Sequence, residues 1–240
     1  MYDPFRLQFL TVSLDSEVIL AVVGVLVAGL VARTLARRFG RAPADAWEAT
    51  LDVAFWTLAG ARLGWVAWHL SYYIGAPVQI AAIGDGGFLF SAGEVAGLYI
   101  LRRWRTRLGY TWQELGILAA PAIAAALLLD RAGCSLTACG AGQPTQAAWA
   151  IVRSGSHLHP VGLYGTAIWL ATLWIMWRSS SPATAWLIVA IGLVVERGLA
   201  WQFGFESGDG LLMSILLLVG LCIRLRTHRP LQLGIEHAGP

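Results

Sequence analysis

Long apolar runs of the sequence contain or end in six ionisable residues that need an explanation: Arg62, Glu94, Asp130, Arg131, Glu196 and Arg197. A charge at the centre of a bilayer costs roughly 2.5–3.5 kcal/mol on insertion scales, so such groups pair, reach for the interface or line a wet cavity. One interpretation is a set of buried ion pairs, for example Glu94 with Arg62 or Arg197. The other is a polar pocket where Arg131 and Arg197 hold a phosphate, because arginine makes bidentate hydrogen bonds to phosphate oxygens.

Two histidines follow in the segment His157-Leu158-His159-Pro160. Histidine titrates near neutral pH, which makes His159 a candidate general acid or base. A structural hydrogen bond at the entrance of a helix that starts after Pro160 is the alternative. No third ligand has the spacing of a zinc site, and the sequence predicts neither a metal nor a cofactor.

Cys134 and Cys139 lie five residues apart in the loop predicted after the fourth apolar run, while Cys222 lies in the last apolar run. Outside the cytoplasm the first two are able to form a disulfide. The alternative is a pair of small packing residues. A membrane thiol-redox protein that uses Cys134 and Cys139 is therefore one hypothesis for the function.

The composition indicates which kind of structure must position these residues. Hydrophobic residues make up 57% of the 240 positions and charged residues only 13%, whereas soluble domains carry about 25% charged residues. The 12 Trp residues agree with a membrane protein, because Trp favours membrane–water interfaces. All basic side chains are Arg and sit in short clusters between apolar runs, a pattern that does not predict nucleic-acid binding.

The pattern predicts an all-α, polytopic integral membrane protein with about seven transmembrane helices, forming one membrane domain over residues 1–240. A spanning helix needs about 20 mostly apolar residues. The predicted spans are 17–34, 49–70, 86–102, 114–130, 161–178, 183–202 and 209–225.

Arginines alternate between the connections of these spans. They cluster after the first, third, fifth and seventh spans, at Arg33, Arg37, Arg38, Arg41, Arg102, Arg103, Arg105, Arg107, Arg178, Arg224, Arg226 and Arg229. The positive-inside rule places these clusters in the cytoplasm. The N-terminus is then outside and the C-terminus cytoplasmic, and residues 131–160 are predicted to be an outer-side loop or a re-entrant segment.

Several short segments form a recognisable series: Gly60–Leu63, Gly86–Phe90, Arg131–Gly133 with Pro144-Thr145, and His159-Pro160 with Leu163-Tyr164. In order and spacing they resemble the GARLGY-type motif, the GGxSFHGG segment, the GRxGNxxNxExxGxPT signature and the RHPSQLYE segment of the bacterial prolipoprotein diacylglyceryl transferases. The resemblance covers nearly the whole chain. Glu196-Arg197 lies where that family has an essential Arg in its sixth helix.

The resemblance implies transfer of a diacylglyceryl group from phosphatidylglycerol to the cysteine thiol of a prolipoprotein, with release of glycerol phosphate. It also implies a multi-pass protein of the bacterial cytoplasmic (inner) membrane, whose partners are phosphatidylglycerol, a prolipoprotein signal peptide and the lipid bilayer. The expected ligands of the phosphate or lipid headgroup are Arg131, Arg197, Arg62, Gly133 and Tyr164. The candidate catalytic residues are His159, Glu196 and Arg131.

The chain departs from the family's motifs at Ser91, Cys134, Thr137, Cys139 and Gly165, where the family carries His, Asn, Asn, Glu and Glu. These changes remove much of the proton-handling and hydrogen-bonding set. A catalytically inactive homologue that still binds lipid is therefore a further hypothesis.

Overall fold

A computed structural model describes residues 6–9, 12–82, 86–137, 141–179, 182–204, 211–212 and 214–219. In chain order the elements are β1 (Arg6–Phe9), β2 (Val12–Asp15), α1 (Ser16–Arg38), α2 (Pro43–Trp68), α3 (Leu70–Gly75), a 3-10 helix (Pro77–Ala81), α4 (Phe90–Leu108), α5 (Trp112–Thr137), β3 (Ala141–Pro144), β4 (Ile151–Arg153), β5 (Ser156–Pro160), α6 (Val161–Arg178) and α7 (Pro182–Gln202).

The mostly helical architecture agrees with the predicted class, and α1, α2, α4, α5, α6 and α7 coincide with the first six predicted spans. The seventh predicted span is described only in part, at helical residues 211–212 and 214–219. Within the described residues, three helices are long and apolar enough to cross a membrane: Val18–Arg38, Trp112–Thr137 and Thr184–Gln202. Two small β-sheets, which the sequence did not predict, complete the fold.

Small residues allow α2 and α4 to pack closely. A Cβ added to Gly60 would lie 2.4 Å from the Ala96 Cβ, and one added to Gly64 would lie 2.3 Å from the Ala92 Cβ. A Cβ on Gly93 would meet the carbonyl oxygen of Thr57 at 2.6 Å. Membrane helices use such residues because they associate mainly through backbone-to-backbone packing.

Larger side chains fill the space between α5, α6 and α7. The Trp169 side chain of α6 is fully buried against Ala120 and Ala124 of α5 and Val189 of α7. Its indole N–H is also buried and so requires an acceptor within the protein.

The Arg-rich connections that follow α1 and α4 meet at one end of the helix bundle, here called the basic end. Arg41, which follows α1, forms an ion pair with Glu114 at the start of α5. The Arg105 guanidinium of α4 lies 4.9 Å from the Trp112 ring, and Trp186 of α7 donates a hydrogen bond to the Trp112 carbonyl at 2.8 Å. The ends of α1 and α4 and the starts of α5 and α7 therefore lie together.

The segment 131–160 combines two kinds of structure. Residues 131–137 form the last two turns of α5, so Arg131 lies within the helix rather than after it. Residues 141–160 contribute an antiparallel sheet of order β3-β5-β4. Ser154 and Gly155 both have positive φ, as a tight hairpin turn between β4 and β5 requires.

This three-stranded sheet is attached to the end of α7. The Gln143 main-chain N–H donates to the Phe203 carbonyl at 2.8 Å. The His159 ring of β5 stacks on the Phe203 ring with the centroids 4.2 Å apart. The sheet thus holds the end of the helix that carries Glu196 and Arg197.

Candidate functional site

Arg131 of α5 and Glu196 of α7 form a buried ion pair. The Arg131 Nε donates to one Glu196 carboxylate oxygen, and the Trp169 indole N–H donates to the other at 2.9 Å. The Arg131 and Glu196 side chains are only 13% and 5% exposed, and Asp130 Oδ2 lies 3.8 Å from Arg131 Nη1. Both Glu196 oxygens are hydrogen-bonded, the condition under which a buried pair is tolerated.

Gly165 of α6 lies directly against this pair. A Cβ at this position would lie 3.1 Å from Arg131 Cγ and 3.2 Å from Glu196 Oε1. Gly165 is one of the departures from the family's motifs, which place Glu there. In this protein a carboxylate reaches the same point from α7, because Glu196 occupies the space that a side chain at position 165 would need.

Arg197, the next residue of α7, pairs with Glu94 of α4. The Arg197 Nη2 and Glu94 Oε1 atoms are 3.3 Å apart, and the guanidinium lies 5.3 Å from the Phe90 ring centroid. This pair is one of the two that the sequence proposed for Glu94. Arg197 is 6% exposed, so its guanidinium is buried more deeply than that of Arg131.

The two pairs occupy neighbouring faces of α7. Consecutive residues of an α-helix project about 100° apart, since one turn takes 3.6 residues. Glu196 therefore faces α5 and α6, whereas Arg197 faces α4. The arrangement places two guanidinium groups at one level of α7. That both reach a common cavity remains a prediction.

Arg62 is bound in a different way. Its guanidinium donates to the main-chain carbonyls of Gln79, Ile80, Ala82, Gly86 and Gly87. Arginine carries five N–H donors, so these five bonds occupy all of them. The predicted role of Arg62 as a headgroup ligand would require some of these bonds to break, and the observed contacts give it the role of shaping the segment before α4.

That segment lies tightly against α2. The Leu89 N–H donates to the Ala61 carbonyl at 2.9 Å. Gly87 has φ +77°, and a Cβ there would lie 2.6 Å from Trp65 Nε1 and 2.8 Å from Arg62 Nη1. Both the backbone conformation and the space therefore require glycine at position 87.

His159 and Tyr164, two of the residues predicted for the site, are in contact with each other. The Trp149 indole N–H donates to the Tyr164 hydroxyl oxygen at 2.7 Å, and His159 Nδ1 lies 3.1 Å from the same oxygen. Tyr164 is the residue before Gly165 on α6, and Gly165 contacts the Arg131–Glu196 pair. The hydrogen-bonded group of Tyr164 and the ion pair therefore lie next to consecutive residues of α6. The hydrogen bond of His159, just before α6, fits the structural alternative proposed from the sequence.

Cys134 is disulfide-bonded and buried in the last turns of α5. Cys139, its predicted partner, lies outside the described residues, so the pairing stays a prediction. Gly133 is buried beside Cys134, and its carbonyl accepts a hydrogen bond from the Thr137 hydroxyl at 3.3 Å.

Sequence reasoning missed the three aromatic residues that complete these groups, Trp149, Trp169 and Phe203. Trp169 had one usable signal, because a Trp in the middle of an apolar helix places its N–H where only protein acceptors are available. Trp149 lies in a segment whose course the sequence did not predict, and the contacts of Phe203 are with that same segment.

The sequence is similar to a family of known proteins. Residues 6–220 match the model of the prolipoprotein diacylglyceryl transferase family. Three relatives are named phosphatidylglycerol–prolipoprotein diacylglyceryl transferase. The relative from Pseudomonas fluorescens is 28% identical over 199 residues, covering 76% of this chain and 73% of the relative.

The relative from Ruegeria pomeroyi is 25% identical over 232 residues, 78% of each chain. The relative from Bordetella avium is 27% identical over 157 residues, 60% of this chain and 58% of the relative. The family match includes Arg62, Glu94, Arg131, Glu196 and Arg197, and it confirms the resemblance drawn from the motifs. The chain belongs to the prolipoprotein diacylglyceryl transferase family.

Proposed function

We propose that this protein transfers a diacylglyceryl group from phosphatidylglycerol to the cysteine thiol of a prolipoprotein. The observation that carries the proposal is the position of Arg131. This residue lies in the segment that resembles the family signature, and α7 supplies its buried partner Glu196. The names of the relatives give the two substrates.

The reaction sets two chemical requirements. A bond forms between the cysteine sulfur and a glycerol carbon of the lipid, the bond from that carbon to the phosphate oxygen breaks, and glycerol phosphate leaves. The thiol must lose its proton, because the thiolate is the nucleophile. Negative charge that develops on the phosphate must be stabilised by donors already in place.

Arg131 and Arg197 meet the second requirement in this proposal. Glu196 binds the Arg131 Nε and so orients the terminal nitrogens of the guanidinium, while Glu94 does the same for Arg197. Gly133 and Tyr164 contact the lipid headgroup beside them. Arg62 acts indirectly, because it binds the main chain of residues 79–82 and 86–87 and so holds them in place before α4.

Glu196 and His159 are the proposed proton acceptors. Glu196 is at the centre of the site but is engaged by Arg131 and Trp169. His159 is held by Tyr164 and Phe203. A pH profile of the rate separates them, because loss of the true acceptor removes the corresponding limb of the profile.

The proposed topology has seven spans, an outer N-terminus and a cytoplasmic C-terminus, in the bacterial inner membrane. It is supported by the basic end, where the Arg-rich connections after α1 and α4 lie together. Reporter fusions test it directly. We expect a fusion at residue 105 to report from the cytoplasm and one at residue 150 from outside, and a cytoplasmic signal from residue 150 would contradict the topology.

The activity is tested with purified protein, phosphatidylglycerol vesicles and a peptide that carries a lipoprotein-type cysteine. Mass spectrometry should detect the thioether product. The Arg131→Ala variant should lower the rate by roughly 10²–10³-fold, as loss of one oxyanion-stabilising donor does. Arg38→Ala, at an exposed position of α1, is the matched control and should retain the rate.

Two outcomes would contradict the proposal in different ways. Absence of product while phosphatidylglycerol still binds would favour the inactive lipid-binding homologue. Product that survives loss of both Arg131 and Arg197 would show that the site is wrong, although the reaction is right. The redox alternative gains no support, since Cys134 is disulfide-bonded and buried, as structural rather than reactive cysteines are.

A further inference from the structure

A cavity of about 140 Å³ opens between α2 and α4 at the basic end. One bound water needs roughly 10–15 Å³ of such volume, so the cavity accepts a larger group. Its lining residues are Asp52, Trp56, Ile100, Arg103, Trp104 and Arg107.

Helical spacing explains why these residues share one cavity. Asp52 and Trp56 are four residues apart on α2, and Arg103 and Arg107 are four apart on α4, so each pair lies on one helix face. Ile100 and Trp104 form a third such pair. Because α2 and α4 pack side by side along their glycine and alanine seam, the two faces meet.

The cavity has an apolar floor and a charged rim. Ile100 and Trp104 are buried, whereas Trp56 is 45% exposed and both arginines are exposed. The Arg107 guanidinium lies 4.7 Å from the Trp104 ring centroid, which positions its charge. Exposed Trp beside Arg is typical of the level at which lipid headgroups meet protein.

Opposite charges occupy different parts of the rim. The Trp104 indole N–H donates to Asp52 Oδ2 at 3.0 Å, which fixes the carboxylate on the α2 side. Arg103 and Arg107 project from α4, and among the described residues no salt bridge is formed by either one. The cavity therefore offers two cations on one side and one hydrogen-bond acceptor on the other.

The cavity is separate from the proposed active site. Asp52 lies ten residues before Arg62 on α2, which corresponds to about 15 Å along a helix. Arg103 lies nine residues after Glu94 on α4, or about 14 Å. A lipid bound in this cavity is thus a second molecule, separate from the one that reacts.

We infer that this cavity binds the headgroup of a structural phospholipid at two points. Arg103 and Arg107 bind the phosphate, since guanidinium groups match phosphate oxygens. Asp52 accepts a hydrogen bond from the far end of the headgroup. Ethanolamine and glycerol headgroups both provide such a donor, whereas choline does not. The inference stands independently of the transferase reaction.

The test measures lipid binding to the purified full-length protein by native mass spectrometry, with phosphatidylethanolamine, phosphatidylglycerol and phosphatidylcholine as probes. We expect the ethanolamine and glycerol lipids to bind at least about tenfold more tightly than the choline lipid, because only they make both contacts. Arg103→Gln/Arg107→Gln should weaken all three. Arg102→Gln is the matched control, because Arg102 is an exposed neighbour that does not line the cavity, and it should change nothing.

A second variant is measured as a ratio of two bound lipids, so its result does not depend on the fraction of the protein that folds. Asp52→Asn should reduce the preference for the ethanolamine lipid over the choline lipid within one sample, since the charged acceptor is lost. An unchanged preference would overturn the two-point contact. Equal lipid binding by Arg103→Gln/Arg107→Gln and Arg102→Gln would overturn the site, and displacement of lipid by millimolar inorganic phosphate would assign it to a free anion.

Discussion

Arginines at the two ends of the molecule are stabilised mainly by different kinds of contact. At the basic end, Arg107 and Arg178 are exposed and lie over Trp rings, and Arg41 forms a half-exposed ion pair with Glu114. At the opposite end, Arg131 and Arg197 are buried against carboxylates, and Arg62 is buried against five carbonyls.

The difference follows from access to water. An exposed guanidinium keeps much of its hydration, so a ring contact adds only about 0.5–1 kcal/mol. A buried guanidinium has lost its hydration and must be matched donor by donor. Substitutions should therefore be far more harmful at the opposite end than at the basic end, and the following variants test this contrast.

The largest effect is expected from breaking the Arg131–Glu196 pair. Glu196→Gln keeps an acceptor for the Trp169 N–H but removes the buried carboxylate charge that Arg131 Nε binds. Removing one partner of a buried pair costs roughly 3–5 kcal/mol, so thermal unfolding in detergent should shift strongly and activity should be lost.

The double variant Arg131→Gln/Glu196→Gln provides the control for this prediction. It removes both charges, so it should be more stable than Glu196→Gln alone, although still inactive. A double-mutant cycle gives the coupling between the two residues. If the losses of stability in the two single variants simply add up in the double variant, the two residues are not coupled. The predicted difference between the two ends of the molecule would then be wrong.

Arg62→Lys is expected to have the second-largest effect. Lysine has three donors where arginine has five, so at least two of the carbonyls bound by Arg62 lose their partner. The residues that supply these carbonyls are exposed or half-buried, so each lost bond costs about 1 kcal/mol, the low end of the range for unsatisfied groups. We therefore expect a loss of about 2 kcal/mol in the free energy of unfolding. Arg38→Lys, at an exposed position, should be neutral, and equal effects of the two variants would contradict the prediction.

Gly165→Ala tests the same difference between the two ends in another way, because it disturbs the Arg131–Glu196 pair without removing a charge. The new methyl group would lie 3.1–3.2 Å from Arg131 and Glu196, so one of them must move by a few tenths of an ångström. We expect turnover to fall several-fold while stability changes by about 1 kcal/mol. Gly75→Ala, where nothing lies within 4 Å, is the control, and an unaffected rate in Gly165→Ala would mean that the pair is adaptable.

Arg178→Ala should have the smallest effect. Its guanidinium lies 5.1 Å from the Trp174 ring centroid at the end of α6, and substitutions at such sites usually stay within about 0.5 kcal/mol. Thermal unfolding checks this value. A loss above about 2 kcal/mol would mean that the basic end is as tightly matched as the opposite end.

The sequence predicted the helices and the residues with buried charge, because both follow from hydropathy and the cost of burying ions. It named Arg197 as a possible partner of Glu94, and the structure contains that pair. The partner of Glu196 was not predictable in the same way. It depends on which face of α7 meets α5, and apolar helices give little periodic signal about their neighbours.

The segments between the helices were less predictable. The strands of the sheet have only three to five residues, too few for a clear alternation, and their pairing depends on contacts made after the chain folds. The group of main-chain carbonyls that binds Arg62 needs left-handed backbone at Gly86 and Gly87. A Gly-Gly pair permits such a conformation but does not specify which carbonyls converge.

The attachment of the sheet to the end of α7 has a consequence for motion. The Gln143–Phe203 hydrogen bond and the His159–Phe203 stack resist sliding of α7 along its axis, since a slip of one turn would displace Phe203 by about 5.4 Å. Sliding of a helix takes microseconds to milliseconds, whereas side chains rotate much faster. We therefore expect any rearrangement of Glu196 and Arg197 to be a fast rotation of their side chains, while the helix that carries them stays in place.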